Sequence, residues 1–211
     1  KKLLMRYFSV QEERIEIIPN GIDIKLIDSV KAKKIKNQIC YVGRLVPHKH
    51  VEDLILAIEK LRKDIPDIRC KIVGGGILKE KLEAMIKERK LENNVKILGY
   101  MKDYKDVIRI MKESEVFVLP STREGFGIVM LEAMRCKAVP VAYKLEAYKD
   151  FCNEKNSILV RERNVEKLSK SIKFLIENRK IRKKMSIQGF KDAINYDWDK
   201  IAKMVEKIYN Y

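Results

Sequence analysis

Histidine is scarce. His48 and His50 are the only two in 211 residues, and with no Cys/His cluster a structural metal is not expected. The four cysteines, Cys40, Cys70, Cys136 and Cys152, include no Cys-x-x-Cys spacing. Cys40 and Cys70 fall in strand-like runs and Cys136 ends an apolar stretch, so buried free thiols and a reducing, cytoplasmic setting are expected. No apolar run approaches the roughly 20 residues that span a bilayer, and no signal peptide is evident. Acidic residues are also short: 30 Asp and Glu stand against 46 Lys and Arg, a formal charge of +16 and a pI of about 9.6. Such an excess favours nucleotides, nucleic acid or an acidic lipid surface. A Lys-, Glu- and Ile-rich composition also fits heat adaptation, and partner binding and plain solvation account for the excess equally well. Disorder is excluded, because 46% hydrophobic residues can fill a complete core.

What is present alternates. After a basic lead over residues 1–14 with no clean period, residues 15–18 read as a strand and Pro19-Asn20-Gly21 as a turn. Further strands are expected at 39–42, 69–73, 95–98, 116–119, 139–142 and 158–160. Between them Val51, Leu54, Ile55, Ile58 and Leu61 trace one helical face, and Leu78, Leu82, Met85 and Ile86 another. Val107, Ile108 and Met111 mark a third helix, and helices follow over 165–178, 179–195 and 198–209. Six strands alternating with helices predict an α/β, Rossmann-like, doubly wound parallel sheet with helices on both faces. In the order 3-2-1-4-5-6 the first and fourth strands lie side by side, and ligands bind beyond their carboxyl ends. The loops there, 43–49 and 121–127, are the two richest in polar and glycine residues.

The second of these loops leads into a segment, 128–135, that is apolar on almost every side except at Glu132. A carboxylate in such a helix is costly unless something binds it, either a ligand or a structural Arg or Lys. With the helix starting near Gly127, Glu132 lies about 7–8 Å along its axis. A phosphate at that helix start would have Glu124 on one side and Glu132 on the other. Arg44 and Lys49 leave the first central strand and suit phosphate oxygens, as a planar fork and a mobile point charge. Gly74-Gly75-Gly76 lacks dinucleotide-fingerprint spacing and reads as a tight turn. His48 and His50 read as solvated residues at a helix start.

These residues resemble a family. Ile18-Pro19-Asn20-Gly21-Ile22-Asp23, Tyr41-Val42-Gly43-Arg44-Leu45 with Lys49, Val95-x-x-Leu98-Gly99-Tyr100, and Leu119-Pro120-Ser121-x-x-Glu124-Gly125-Phe126-Gly127 running into Leu131-Glu132-Ala133-Met134 are similar to the C-terminal, donor-binding half of retaining GT-B glycosyltransferases of the family 4-like, group 1 type. The resemblance covers about residues 15–160, with Tyr196-Asp197-Trp198 fitting at the end. It implies a linker and lead-in over 1–36, a nucleotide-sugar domain over 37–195, and a C-terminal helix over 196–211 crossing toward an N-terminal domain. Arg44, Lys49 and Glu124 would carry the catalytic roles: the two cations neutralise a diphosphate, and Glu124 accepts from donor-sugar hydroxyls. Gly43 would belong to the donor-binding set, the backbone amides of Gly125, Phe126, Gly127 and Ile128 would hold sugar and phosphate, Glu132 would bind the ribose, and Leu98 and Tyr100 the base. The donor would be UDP- or GDP-linked, the acceptor a glycan or lipid-linked saccharide, and neither metal nor cofactor would be needed.

Two departures stand out. Family members carry a Gly-Gly-x-Pro-Glu-like loop after the fifth strand, where this chain has Leu145-Glu146-Ala147-Tyr148-Lys149. Lys137 replaces the glycine usual after the apolar helix. A non-catalytic binding module therefore stays open. So does a basic membrane-surface domain built on the cations between 161 and 191; nucleic acid is the weaker version, since aromatics for stacking are sparse there.

Overall fold

The structure is a computed structural model that describes residues 2–209. Six strands form one sheet: β1 (Gln38–Val42), β2 (Arg69–Val73), β3 (Val95–Gly99), β4 (Val116–Leu119), β5 (Val139–Tyr143) and β6 (Ile158–Val160). The order is β3-β2-β1-β4-β5-β6 and every pairing is parallel. Each residue of β1, β4 and β5 is buried, as a strand covered on both faces requires.

The helices are α1 (Lys2–Phe8), α2 (Ile24–Ser29), α3 (Val51–Leu61), α4 (Lys79–Glu88), α5 (Tyr104–Glu113), α6 (Ile128–Arg135), α7 (Val165–Glu177), α8 (Arg179–Asp192) and α9 (Trp198–Tyr209). One face of the sheet carries α3, α4 and α7, and the other carries α2, α5, α6 and α8. The five apolar residues expected on the α3 face are all buried. All four cysteines are free and buried, and burial pushes the Cys136 and Cys152 thiols up to about 12. No described helix is long and apolar enough to cross a membrane.

Three expectations change. Residues 15–18 make no ladder: Ile15 is buried, but Ile17 is 62% exposed and the segment runs extended without a strand partner. The lead is not featureless either, since it contains α1 and a 3-10 turn at Glu12–Arg14. The helix expected over 179–195 ends at Asp192 and tightens into a 3-10 turn, Ala193–Tyr196. Of the expected end segments, Lys1, Asn210 and Tyr211 lie outside the described residues.

The lead-in and the end segment meet. Ile22 N–H donates to the Tyr196 carbonyl at 2.7 Å, Trp198 N–H donates to the Ile22 carbonyl at 3.1 Å, and Ile22 bridges Asp197 in parallel. A Cβ on Gly21 would lie 2.8 Å from the Trp198 ring, so glycine permits this approach.

The glycine triplet does more than turn. Gly74 has φ +132°, and a Cβ there would fall 1.9 Å from the Gly43 carbonyl oxygen; at Gly76, φ +152°, it would fall 2.4 Å from that of Leu45. Leu45 N–H donates to the Gly75 carbonyl at 2.8 Å, and Leu78 N–H returns to Leu45 at 3.1 Å. The loop after β1 thus lies directly on the loop after β2. Gly74→Ala is therefore expected to destabilise the chain by at least about 2 kcal/mol, combining a forbidden φ with a backbone clash. Urea unfolding measures it, and a loss under half of that would contradict the seating.

Candidate functional site

Beyond the carboxyl ends of β1 and β4 lies a cleft of about 450 Å³, lined by Val42, Gly43, Arg44, Lys49, Glu124, Gly125, Phe126, Gly127, Ile128 and Val129, with Asn20 and Tyr104 at its margins. Strand-order reversal places it there, because the connections after these two strands depart to opposite faces.

The β1 side is held rigidly. The buried Tyr41 hydroxyl donates to the Arg44 carbonyl at 2.9 Å, fixing the backbone under an exposed guanidinium. The chain then makes a 3-10 turn, Pro47–Lys49, and His50 takes the left-handed conformation, φ 46°, to start α3.

Across the gap, Thr122 N–H donates to the His48 carbonyl at 2.9 Å, and Thr122 Oγ1 hydrogen-bonds His50 Nε2 at 2.9 Å. His50 also touches Arg163 and lies 3.5 Å from Glu52. Arg163 in turn reaches the buried Asp53 at 3.0 Å, which accepts from the Tyr143 hydroxyl at 2.5 Å. His50 is therefore a bridge between loops, not a solvated helix-start residue. His48 contributes its backbone to the same tie, while burial, and then Lys49, lower its imidazole pKa.

The central contact joins Lys49 Nζ to Glu124 Oε1 at 2.5 Å, with both side chains only 12% exposed. A shielded pair of this kind is held firmly, unlike a solvent-exposed one. It leaves Arg44 as the cation facing the cleft without a carboxylate partner among the described residues.

Gly127, φ +89°, is the N-cap of α6, and no side chain caps the helix. Its first backbone N–H groups therefore open on the cleft, an arrangement suited to an anion. The helix is not buried all round as its composition implies: Ile128 is 38% exposed and Glu132 is half-buried. Among the described residues, neither Arg nor Lys neutralises Glu132. Its Oε2 accepts from the Tyr104 hydroxyl at 2.6 Å, which projects from the first turn of α5. Burial holds the Glu132 carboxyl above the ordinary carboxylate range, and the Tyr104 hydrogen bond pulls it part of the way back. Burial and then Glu132 keep the Tyr104 phenol protonated.

Arg44, Lys49, Glu124, Gly43, Gly125, Phe126, Gly127 and Ile128 thus share one cleft, with Glu132 reached through Tyr104. Leu98 and Tyr100 stand at the open end of β3, 37% and 80% exposed, outside that lining. Four lining residues, Asn20, Val42, Tyr104 and Val129, were not among the expected site residues. Asn20 and Val42 lay inside recognised motifs and Val129 on the expected apolar helix, whereas Tyr104 carried no signal in sequence, since its role rests on a hydrogen bond to Glu132, 28 residues away.

The departures have structural counterparts. Lys137 takes φ +57°, the conformation a glycine would adopt freely. Residues 145–149 form a 3-10 turn, Glu146–Tyr148, in which Glu146 pairs with Lys149 on the surface, away from the cleft. Tyr148 turns inward, fully buried, and a Cβ on Gly127 would lie 2.5 Å from its ring.

Comparisons with known proteins address the family and the fold. The family model described as "Glycosyl transferases group 1" matches residues 23–192. An uncharacterized glycosyltransferase of Methanocaldococcus jannaschii is 32% identical over 80% of this chain and 46% of its own length. A Campylobacter jejuni enzyme named N-acetylgalactosamine-N,N'-diacetylbacillosaminyl-diphospho-undecaprenol 4-alpha-N-acetylgalactosaminyltransferase is 32% identical over 95% of this chain and 54% of its own. The chain spans about half the length of these curated relatives. Among solved structures, a point mutant of Staphylococcus aureus TarM, in complex with Fondaparinux, alpha-GlcNAc-glycerol and UDP, superposes with a TM-score of 0.85 at 24% identity, covering 100% of this chain and 42% of that one. That likeness establishes the fold.

The raised Glu132 carboxyl makes stability depend on pH. A folded-state acid with a raised pKa binds more protons than the unfolded chain just above pH 4.5, so stability falls as pH rises through that window. Glu132→Gln keeps an acceptor for Tyr104 but cannot ionise. The variant should melt with wild type near pH 4 and above it at pH 7. A difference that stays flat across pH in differential scanning fluorimetry would contradict the burial of this carboxyl.

Proposed function

The chain belongs to the group 1 glycosyl transferases, and from that premise we propose that it is the donor-binding part of a hexosyltransferase. It grips a UDP- or GDP-linked sugar while the acceptor, a glycan or lipid-linked saccharide, is held by an N-terminal domain outside this chain. The observation that carries the reading is the convergence of Arg44, the Lys49–Glu124 pair and the uncapped start of α6 on one cleft.

In this reading the diphosphate lies between Arg44, Lys49 and the α6 N–H groups. These stabilise the charge that grows on the departing nucleotide, the task a divalent metal performs in other transferases. The α6 amides act as fixed dipoles that need no reorganisation. Glu124 accepts from sugar hydroxyls with the oxygen that Lys49 leaves free, and Glu132, oriented by Tyr104, accepts from the ribose. Leu98 and Tyr100 would face the base. Transfer with retention of configuration, a cytoplasmic setting and attachment to an anionic membrane surface complete the proposal.

A second reading, a binding module without turnover, is favoured by one observation: Tyr148 fills the space against Gly127 in the loop that lacks its glycines. Sugar transfer or donor hydrolysis by the full-length protein would eliminate it.

The first reading predicts that a UDP- or GDP-sugar at about 100 times its Kd adds about 2.7 kcal/mol of stability. In a chain of 211 residues that corresponds to a melting shift of about 5–10 °C. Arg44→Ala and Glu132→Ala should each abolish it. No response across a broad panel of nucleotide-sugars would overturn the assignment.

A further inference from the structure

A second cavity, about 530 Å³, opens at the opposite edge of the sheet. Its lining comes from the residues that lead into the central strands: Lys34, Lys36 and Asn37 before β1, Glu115 before β4 and Lys137 before β5. The first turns of α8 close it with Arg179, Arg182 and Lys183. At about 3.3 Å per residue along the five residues of β1, it stands roughly 17 Å from the donor cleft.

The charges here do not balance. Glu115 is the one carboxylate in the lining, and it is already engaged: Oε1 meets Arg182 at 2.5 Å, both side chains nearly buried, and Oε2 accepts from Asn37 N–H at 3.0 Å. Asp28, on an adjoining cavity of about 410 Å³, is likewise taken by Arg135. Lys34, which lines both cavities, is satisfied differently. Its ammonium donates to the carbonyls of Ser114 at 2.5 Å and Cys136 at 3.1 Å, at the carboxyl ends of α5 and α6, where helix dipoles favour a cation. Although the residue as a whole is exposed, burial of the ammonium pulls its pKa down to about 8. Lys137 lies over the Phe190 ring at 4.6 Å. Lys36, Arg179, Lys183 and Lys137 therefore remain without a carboxylate among the described residues, around a cavity whose own acid is spent.

We propose that this amino-edge cavity binds a phosphate group, the complement to Lys36, Lys137, Arg179 and Lys183 that the protein does not itself supply. The phosphate has two chemical sources, a soluble phosphorylated molecule or the headgroup of an anionic phospholipid. Arg182 and Glu115 form the rigid wall, and the exposed lysines close on the ligand from the rim. The site is separate from the donor cleft and stands or falls independently of it.

The test uses the chain carrying Arg44→Ala, so that the donor cleft does not bind phosphate. Its probes are inorganic pyrophosphate by calorimetry, and phosphatidylcholine vesicles with or without phosphatidylglycerol by flotation. The triple variant Lys36→Ala/Arg179→Ala/Lys183→Ala is compared with Lys81→Ala/Lys87→Ala/Lys96→Ala, which removes equal charge on α4 and β3. The first triple should lose about tenfold or more in affinity, given the strength of charge-assisted hydrogen bonds, and the second should lose little. Lys183→Glu alone, at an exposed position, should act in the same direction, and melting temperatures report folding. Pyrophosphate binding identifies a soluble source; vesicle binding that needs phosphatidylglycerol, without pyrophosphate binding, identifies a lipid headgroup. Binding of neither probe, or equal losses in both triples, would overturn the proposal.

Discussion

A parallel sheet whose strand order reverses between β1 and β4 sends the two following connections to opposite faces, and the cleft exists because of that divergence. Left to itself such a gap would be a loose groove between two mobile loops. Here the two loops are held by contacts that do not need a ligand. The loop after β1 is seated on the glycines after β2, the Thr122–His48 hydrogen bond ties it to the loop after β4, and Lys49 and Glu124 meet at 2.5 Å. Preorganisation of this kind means that a charged ligand meets groups already in place, which is where electrostatic stabilisation is most effective.

Much of the fold was legible because each signal was local. The β-branched and apolar runs at 39–42, 116–119 and 139–142 bury every residue, and the period of Val51, Leu54, Ile55, Ile58 and Leu61 survives intact as the inner face of α3. Residues 15–18 misled because a β-branched run specifies an extended backbone, not a partner strand. At the cleft, Arg44, Lys49 and Glu124 were readable from their positions after central strands. The roles of Tyr104 and His50 were not. Both act through hydrogen bonds across sequence separations of 28 and 72 residues, and no short window of sequence contains both members. The glycine triplet shows the same limit: a tight turn is a local reading, while a carbonyl 1.9 Å from a would-be Cβ is a tertiary fact.

The excess of +16 is also not uniform in meaning. Lys60, Lys71, Arg89 and Lys173 are absorbed by surface or half-buried acids on other elements. Arg135 and Arg182 are structural, each consuming a carboxylate at the amino edge of the sheet. Of the cations left without a carboxylate among the described residues, Arg44 stands at one end of the central strands and Lys36, Lys137, Arg179 and Lys183 at the other, while others such as Lys81, Lys87 and Lys96 are spread over α4 and β3.

The bridge between Ile22 and Asp197 has a mechanical meaning. Two segments far apart in sequence meet at a single point, so the lead-in and the end segment close a ring around the sheet. Ile22 is itself buried in the core, and Gly21 lies flat against Trp198. Asn20, the next residue back, lines the cleft. The seam that joins the two segments of the chain therefore also sets where a polar side chain meets the margin of the cleft.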